Sequence, residues 1–304
     1  MNIDAYKHHF QNGLEKLESL VINMNDIIDN RIEKNLRTIS KMQLVDLPSA
    51  TIELEVFVKM QELHVENQVG VLQGKNVEIE TAVSDIINLA SQYPLDPHIE
   101  PISTETKDAV KAYYNRTMYR AMLTTTKSSL NSLKKRIKGS SGQIFSLAGQ
   151  KPFFELHIEL AVPSVTVDPS LDDVQKAISK ACVAVLKIAK GVYDWDQEGV
   201  DYKERITFFE SITKDIEIVR TVLLLTGSMQ GLKQDVKKYL DHFYKYQWLW
   251  KEDMGLAYKT FLSRKPTMDD YDAKLKYFEQ VNEQVKGQAS VMIIGALRLT
   301  TKGI

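Results

Sequence analysis

The chain has 304 residues, of which 43% are hydrophobic, and its 39 basic and 40 acidic side chains leave a formal net charge of −1. This length is enough to bury a sizeable core, and the balanced charge argues against a nucleic-acid-binding surface or an acidic tail. One cysteine, a polar start and no apolar run of roughly 18 residues exclude a disulfide framework, a signal peptide and a membrane helix, so we expect a soluble intracellular protein, or a piece of one.

Helical spacing dominates the first third of the chain. Apolar residues recur three and four positions apart through residues 1 to about 45, which predicts a long helix with one narrow apolar stripe. Ser49 is the expected N-cap of the next helix. Because Gly70 and Gly74 weaken its middle, residues 49–92 are predicted to form either one kinked helix or two.

A connector and a further helix complete the first half. Three prolines between residues 91 and 101 remove backbone donors and push their predecessors out of helical geometry, which predicts a connector. Helical spacing resumes near Thr104, and the glycines of residues 139–142 are expected to end this helix. The basic cluster at residues 134–138 falls at the end of the helix, where cations complement its dipole.

Residues 153–175 contain the one clear change from helical to strand-like spacing. From Phe154 to Val162 every second residue is apolar, which is the period of a half-buried strand. The apolar set resumes after Pro163 on the opposite parity, so the chain is expected to bend or bulge at that proline.

The helix that follows carries the strongest start signal in the chain. Asp168 or Ser170 is its expected N-cap, Pro169 suits the first turn, and acidic residues follow at the positive end of the dipole. Cys182 lies on the apolar stripe of this helix, so we interpret it as a small buried hydrophobe.

Three further elements are predicted towards the end of the chain. A helix is expected from about Tyr202, with a break bracketed by Gly227 and Gly231. The aromatic stretch 239–250 is interpreted as a helix packed against two neighbours. If Trp250 lies in its core, Trp250→Ala should destabilise the protein by about 3 kcal/mol or more, and a surface contact is the alternative. A last helix follows Pro266, and short apolar alternation closes the chain.

Motifs that carry chemistry are mostly missing from the sequence. Residues 70–76 imitate a phosphate-binding loop, but the spacing is one residue short, Asn76 replaces the magnesium-binding hydroxyl and no strand precedes it. The six histidines show no metal-ligand spacing, and no GxSxG nucleophile motif is present. We therefore predict no catalytic, cofactor-binding or metal-binding residue.

Three stretches together resemble a known family. Residues 159–195 resemble part of the tail of dynein heavy chains, above all axonemal outer-arm chains. Residues 243–281 resemble the aromatic helix and the following segment at the entry to the dynein linker, and residues 27–48 resemble an upstream tail helix. The matching positions in the first two stretches are Pro169, Ser170, Leu171, Asp172, Gln175 and Trp195, and then Tyr246, Leu249, Trp250, Asp253, Phe261 and Pro266.

The resemblance implies a mainly α fold of elongated stacked helical bundles, with one short extended or β-hairpin segment near residues 153–168. It implies four parts: a helical bundle over 1–150, an extended clasp over 151–169, a second bundle over 170–262, and a final helix leading into the start of the linker over 263–304.

The resemblance implies that the chain is a lower tail segment of a microtubule motor. The segment itself is expected not to be an enzyme and to bind no cofactor, since ATP and magnesium belong to the motor region of such chains. The implied partners are dynein intermediate chains, light chains, other heavy chains and, through the parent complex, microtubules; nucleic acid and membrane insertion are not expected. The implied location is the cytoplasm and cytoskeleton, in the axoneme of a cilium or flagellum. An unrelated cytosolic helical adaptor or tether, and an enzyme with an unrecognised helical active site, remain as alternatives.

Overall fold

The computed structural model describes residues 3–92, 102–138, 152–160, 164–191, 197–198, 205–206, 208–288 and 291–301. Helices account for most of these residues, and short strands for a few. The chain is therefore mainly α with a short strand segment, as predicted. The bend at Pro163, the glycine turn at 139–142 and most of the proline connector lie outside the described residues.

Ten α-helices, one π-helical turn and one 3₁₀ turn make up the helical part of the described chain. Their bounds are α1 Ile3–Ile27, the π turn Ile28–Glu33, α2 Lys34–Lys41, α3 Leu54–Ser91, α4 Thr104–Lys138, α5 Leu171–Gly191, α6 Phe208–Lys214, α7 Ile216–Asp241, the 3₁₀ turn His242–Tyr246, α8 Trp248–Lys251, α9 Met254–Ser263 and α10 Met268–Gln288.

The described strands form two sheets. They are β1 Phe154–Glu159, β2 Thr166–Asp168, β3 Gln197–Glu198, β4 Arg205–Ile206, β5 Met292–Ile294 and β6 Leu297–Thr301. The larger sheet has the order β2-β1-β6-β5, and the smaller is the antiparallel pair of β3 and β4. In the larger sheet β1 pairs antiparallel with β2 and parallel with β6, and β5 and β6 form an antiparallel hairpin.

The predicted strand near residues 153–168 is confirmed. The side chains of Phe154, Leu156 and Ile158 are buried, whereas those of the residues between them are half-buried and polar. This alternation directs one face of β1 into the core. Ser170 caps α5, because its hydroxyl oxygen accepts a hydrogen bond from the Asp173 N–H at 3.2 Å. Pro169 precedes this cap, so its predicted first-turn position was wrong.

The region 49–92 contains one long helix, α3, and not two. α3 continues through Gly70 and Gly74, where an added Cβ would meet no atom within 4 Å. Its predicted N-cap, Ser49, was wrong, since the helix begins at Leu54. The chain before it is held extended by a hydrogen bond from the Ile52 N–H to the Phe153 carbonyl oxygen, at 2.9 Å.

Two predictions about the helices after residue 200 were also wrong. Residues 205–206 belong to strand β4, so the helix expected from about Tyr202 begins at Phe208 and is interrupted at Asp215. No break occurs at Gly227 or Gly231, because α7 continues to Asp241 with open space around both glycines. The aromatic stretch 239–250 is divided among the end of α7, the 3₁₀ turn and α8.

The Cα positions divide the chain into two compact units. Unit 1 comprises residues 1–46, 61–130 and 182–221, and unit 2 comprises residues 47–60, 131–181 and 222–304. Each unit is therefore assembled from segments that are distant in sequence.

Unit 1 is held together by buried polar contacts as well as by apolar packing. The Ser129 hydroxyl accepts from the Leu44 N–H at 2.8 Å, and the Thr125 hydroxyl donates to the Met42 carbonyl. The Gln61 side chain both donates to and accepts from the backbone of Asp46. These bonds satisfy the backbone after α2 where it leaves helical geometry.

Unit 2 contains the four-stranded sheet. Three residues of the last hairpin, Ala296, Leu297 and Leu299, are at most 1% exposed. No described helix combines the length and apolar composition needed to cross a membrane.

Candidate interaction surfaces

The described residues that could take part in catalysis, phosphate binding or metal binding do not form a reactive site. Cys182 is buried on α5, and burial raises the pKa of its thiol to about 12, so the thiol stays protonated and unreactive at neutral pH. The loop-like stretch at residues 70–76 lies inside α3. Among the described residues, no group of three or more His, Cys, Asp and Glu side chains is placed to hold a metal ion.

Three aromatic rings and a guanidinium form a cluster in unit 2, which we call the phenylalanine clasp (Phe57, Phe153, Phe154 and Arg136). The Phe57 ring lies 5.9 Å from the Phe153 ring and 5.2 Å from the Phe154 ring, and all three rings are buried. The Arg136 guanidinium lies 4.7 Å from the centre of the Phe153 ring and donates to the Pro48 carbonyl at 3.1 Å. Burial lowers the pKa of Arg136. Arg136 is one of the basic residues at the end of α4, and these contacts give it a structural role.

Backbone hydrogen bonds tie this clasp to the last hairpin. The carbonyl oxygen of Ala296 accepts from the N–H groups of Phe153, at 2.6 Å, and of Phe154, at 3.2 Å. The carbonyl of Phe153 in turn accepts from Ile52. Three segments of the chain, around residues 52, 153 and 296, thus meet through main-chain bonds that do not depend on side-chain identity.

The turn between β5 and β6 requires a glycine. Gly295 has φ +55°, a left-handed conformation that side chains disfavour. A Cβ at this position would also overlap the carbonyl oxygen of Ile137 and lie 2.9 Å from the Leu232 side chain. The hairpin therefore packs directly on the backbone of α4.

The outer face of the same sheet carries a polar chain. The His157 ring nitrogen Nδ1 and the Thr300 hydroxyl lie 2.8 Å apart, and this hydroxyl lies 3.3 Å from the Glu155 carboxylate. Arg298 Nε is 3.9 Å from the same carboxylate. These contacts join β1 and β6 across the face that the core does not cover.

An apolar groove lies beside α10 in unit 2, and we call it the Trp250 groove. Its volume is about 670 Å³, and its lining residues are Leu160, Leu249, Trp250, Leu275, Phe278, Glu279, Val281, Asn282, Val285 and Lys286. Trp250 is half-buried, and its indole N–H has no hydrogen-bond partner. Of the two positions left open for Trp250, the core and the surface, the structure shows a half-buried side chain that lines a surface groove.

Trp248 holds α8 against α10. Its ring lies 6.1 Å from the rings of both Tyr277 and Phe278, and the Lys274 ammonium lies 5.2 Å from the centre of the Phe278 ring. Aromatic stacking and a cation–π contact thus position the helix that forms one wall of the Trp250 groove.

A basic groove follows the π turn of unit 1. It has a volume of about 600 Å³ and is lined by Lys34, Arg37 and Lys41 together with Asp29, Asn30, Thr38 and Met42. Arg37 pairs with Glu33. Because this pair and Asp29 offset much of the positive charge, the groove resembles an ordinary solvated helix face.

The first five turns of α1 present an apolar stripe to solvent. Phe10 is 60% exposed, Leu14 51%, Leu17 40% and Val21 48%. The same stripe becomes half-buried from Met24 and fully buried at Ile32. We call the exposed part, Ile3, Phe10, Leu14, Leu17 and Val21, the α1 stripe.

Sequence spacing identified the α1 stripe as apolar but did not show that it is exposed, because periodicity does not tell whether a neighbour is present. The Trp250 groove was missed for a related reason. Its walls come from Leu160, which follows β1, and from α8 and α10, and the first lies far from the other two in sequence. Gly295 carried a usable signal, since a glycine between two short alternating apolar runs is typical of a hairpin turn.

Comparison with known proteins gives a consistent result. No protein-family model matches the sequence. The chain is 34% identical over 304 residues to the dynein gamma chain of the flagellar outer arm of Chlamydomonas reinhardtii, an alignment that covers 99% of this chain and 7% of that protein. It is 22% identical to axonemal dynein heavy chain 8 of Mus musculus, with 99% and 8% covered, and 20% identical to axonemal dynein heavy chain 5 of Rattus norvegicus, with 99% and 12% covered.

These relatives are dynein heavy chains whose names place them in the axoneme or flagellum, which supports an axonemal location for this chain. The chain spans about 7% to 12% of the length of these three relatives. It aligns with them over nearly all of its own length, and the predicted resemblance is thereby confirmed. By sequence, the chain is homologous over 99% of its length to one segment of the axonemal dynein heavy chains.

Proposed function

We propose that the chain is a non-catalytic segment of an outer-arm dynein heavy chain and acts as a structural, force-transmitting scaffold between the motor and the cargo end. The identity of 34% along 99% of the chain to an outer-arm heavy chain is the observation that carries this proposal. Two structural features support it. Helices as long as the 38-residue α3 are stiff elements, and main-chain bonds join segments that are distant in sequence.

The proposal includes the partners and the division of the chain. The segment takes part in assembly with intermediate chains, light chains and other heavy chains, and acts on microtubules through the complex. ATP and magnesium bind in other parts of the heavy chain. Residues 1–150 and 170–262 form two helical bundles, residues 151–169 form an extended clasp that connects them in sequence, and residues 263–304 form a final helix and the start of the linker.

The proposal is tested in the intact heavy chain with the substitution Phe153→Ala, which removes the central ring of the phenylalanine clasp. We expect microtubule-stimulated ATP hydrolysis to be retained while gliding force or assembly of the arm is reduced. Lys180→Gln, on the exposed face of α5, is the control and should change neither. Full force and assembly in the Phe153→Ala motor would contradict a scaffold role, and ATP hydrolysis by the purified 304-residue chain would contradict a non-catalytic one.

A further inference from the structure

The middle of α4 carries positive charge that no acid of the same helix offsets. Residues 109–138 include eight lysines and arginines and no aspartate or glutamate, although the whole chain is almost neutral. Arg116 and Arg120 lie four positions apart in this run, a spacing at which two like charges on a helix repel each other. An acid three or four positions away would offset this repulsion, and neither arginine has one there.

The carboxylates that contact this part of α4 in unit 1 bond to other groups. Glu217 pairs with Lys127. Asp215 accepts from the Glu217 N–H at 2.8 Å and from the Tyr119 hydroxyl at 3.4 Å. The two arginines form no ion pair or side-chain hydrogen bond with a residue that the structure describes, and both are exposed. Their guanidinium groups are therefore available to a partner.

The side chains around the two arginines leave room for a second helix. We call this surface the arginine face, and its residues lie on one side of α4 at spacings of three, four, seven and eleven from the first: Tyr113, Arg116, Thr117, Arg120 and Thr124. The Thr117 hydroxyl donates to the Tyr113 carbonyl at 3.0 Å, and the Thr124 hydroxyl donates to the Arg120 carbonyl at 2.8 Å. Both hydroxyls are thus used within the helix, and the short threonine side chains leave space between the long arginines.

An aromatic ring ends the arginine face on its N-terminal side. Tyr113 is 58% exposed, and its ring packs edge-on against the ring of Tyr114 at 5.1 Å. Tyr114 is half-buried, and burial is the main cause that raises the pKa of its hydroxyl. Contact with this partly buried neighbour positions the Tyr113 ring, which offers an apolar surface one turn before Arg116.

We propose that the arginine face binds an acidic helical segment of a partner protein. Arg116 and Arg120 are one helical turn apart, about 6 Å along the axis, which matches two carboxylates at positions i and i+4 of a partner helix. Each guanidinium can donate two parallel N–H bonds to one carboxylate. An apolar residue one turn further along the partner packs on Tyr113. This inference goes beyond the proposed function and does not depend on it.

The distribution of charge favours carboxylates on a protein over nucleic acid or a membrane. Nucleic-acid surfaces commonly contact about six to ten phosphates from a basic domain, and anionic membranes bind clusters of about four to eight cations. This chain has a net charge of −1, and its arginine face offers two guanidinium groups. The basic groove beside the π turn is a weaker candidate, because its Arg37 is already paired with Glu33.

The proposal is tested by titrating the 304-residue chain into a fluorescein-labelled, alanine-based helical peptide with two glutamates four residues apart and a leucine one turn further on. We expect fluorescence anisotropy to give a dissociation constant below about 1 mM that rises with salt. Arg116→Gln and Arg120→Gln should each raise it at least about 5-fold, because each removes one two-bond contact to a carboxylate. The same peptide with glutamines in place of its glutamates should bind at least about 10-fold more weakly.

Two control variants separate recognition by geometry from the effect of net charge. Lys187→Gln removes one positive charge from an exposed position on α5 in the same unit, and it should leave the dissociation constant unchanged. Arg116→Lys keeps the charge but loses the paired donors, so it should still raise the dissociation constant at least about 3-fold. An effect of Lys187→Gln as large as that of Arg116→Gln would overturn the proposal, as would full binding by Arg116→Lys.

Stability and competition supply the remaining tests. In urea unfolding, Arg116→Gln and Arg120→Gln should leave the midpoint unchanged or raise it, because each relieves the repulsion within α4. A lower midpoint would show that the arginines stabilise the fold and would overturn the proposal. No binding of the glutamate peptide up to about 1 mM, or tighter binding of a single-stranded RNA of the same length, would also overturn it.

Discussion

At Gly295 two requirements, one on backbone conformation and one on space, meet in a single residue. The left-handed φ of +55° would be tolerated by an asparagine, but the nearby carbonyl oxygen of Ile137 leaves no room for any Cβ. Since that oxygen belongs to the backbone of α4, a larger residue cannot be accommodated by a rotamer change. The position therefore fixes how closely the last hairpin approaches the helix.

We expect Gly295→Ala to lower the free energy of unfolding by about 2 kcal/mol or more, because it adds backbone strain to a steric overlap with the backbone. Urea unfolding followed by circular dichroism measures this change. Gly231→Ala is a matched control in the same unit: Gly231 lies inside α7 with open space around it, so alanine should stabilise by roughly 0.5–1 kcal/mol. Equal effects of the two substitutions would contradict the steric argument.

Trp250 and Phe243 lie seven residues apart but differ in burial. Phe243 is fully buried, whereas Trp250 is half-buried in the wall of a groove and leaves its indole N–H unpaired. We expect Trp250→Ala to cost about 1–2 kcal/mol and Phe243→Ala about 3–5 kcal/mol, since the second leaves a cavity and the first does not. Both are measured by urea unfolding, and a Trp250→Ala loss as large as that of Phe243→Ala would place Trp250 in the core after all.

At the scale of elements, two helices begin with the same short pattern. Residues 169–173, Pro-Ser-Leu-Asp-Asp, lead into the first turn of α5. Residues 266–270 repeat the pattern at the start of α10, with threonine in place of the serine and methionine in place of the leucine. In both, the hydroxyl residue caps the helix and the second aspartate hydrogen-bonds back to it. A proline before the cap and acids in the first turn therefore define where each helix starts.

The cap of α10 should make its stability depend on pH. Hydrogen bonds from the Thr267 backbone N–H and hydroxyl, both 2.8 Å long, hold the pKa of Asp270 below its usual value. A carboxyl whose pKa is lowered by folding adds stability above its unfolded pKa of about 3.9 and loses it as the pH falls through the folded value. Asp270→Asn should therefore destabilise the protein at neutral pH, and the difference from the parent chain should vanish near about pH 2.

Urea unfolding at several pH values measures this difference. Asp269→Asn removes the same charge from the same turn without touching the Thr267–Asp270 hydrogen bonds, so its effect should depend less on pH. A stability difference for Asp270→Asn that persists unchanged in acid would show that the cap acts through geometry alone and not through the ionised carboxylate.

Structural features that depend only on neighbouring residues in the sequence were predicted correctly. The alternation of β1, the Ser170 cap and the burial of Cys182 each depend on residues within a few positions of one another. Predictions failed where a distant segment decided the outcome: Ser49 does not cap α3 because the backbone at Ile52 bonds to Phe153 instead. The break expected at Gly227 and Gly231 did not occur, since a glycine weakens a helix by about 1 kcal/mol and tertiary packing can exceed that.

At the scale of the whole molecule, the sheet of unit 2 joins parts of the chain that the sequence alone gave no reason to pair. β1 pairs in parallel with β6, and His157 and Thr300, which are 143 residues apart, lie within 2.8 Å. Pairing two strands so far apart in sequence costs the entropy of closing a long loop, and this cost must be met before the strand contacts form. We therefore expect the sheet of unit 2 to be completed late in folding. The closing alternation was visible in the sequence, but its partner strand was not.

The last hairpin should therefore determine the stability of unit 2. Deletion of residues 289–304 removes β5 and β6, with Ala296, Leu297 and Leu299 from the core and the acceptor of the Phe153 and Phe154 N–H groups. We expect a loss of about 3 kcal/mol or more in the free energy of unfolding, and amide exchange in β1 at least about 100-fold faster. Deletion of residues 1–15, a stretch of similar length that is exposed between residues 6 and 15 except at the half-buried Gly13, should change exchange in β1 little. If β1 stays protected without the hairpin, then the phenylalanine clasp and β2 suffice to hold it, and β6 is an accessory strand rather than the closing element of the unit.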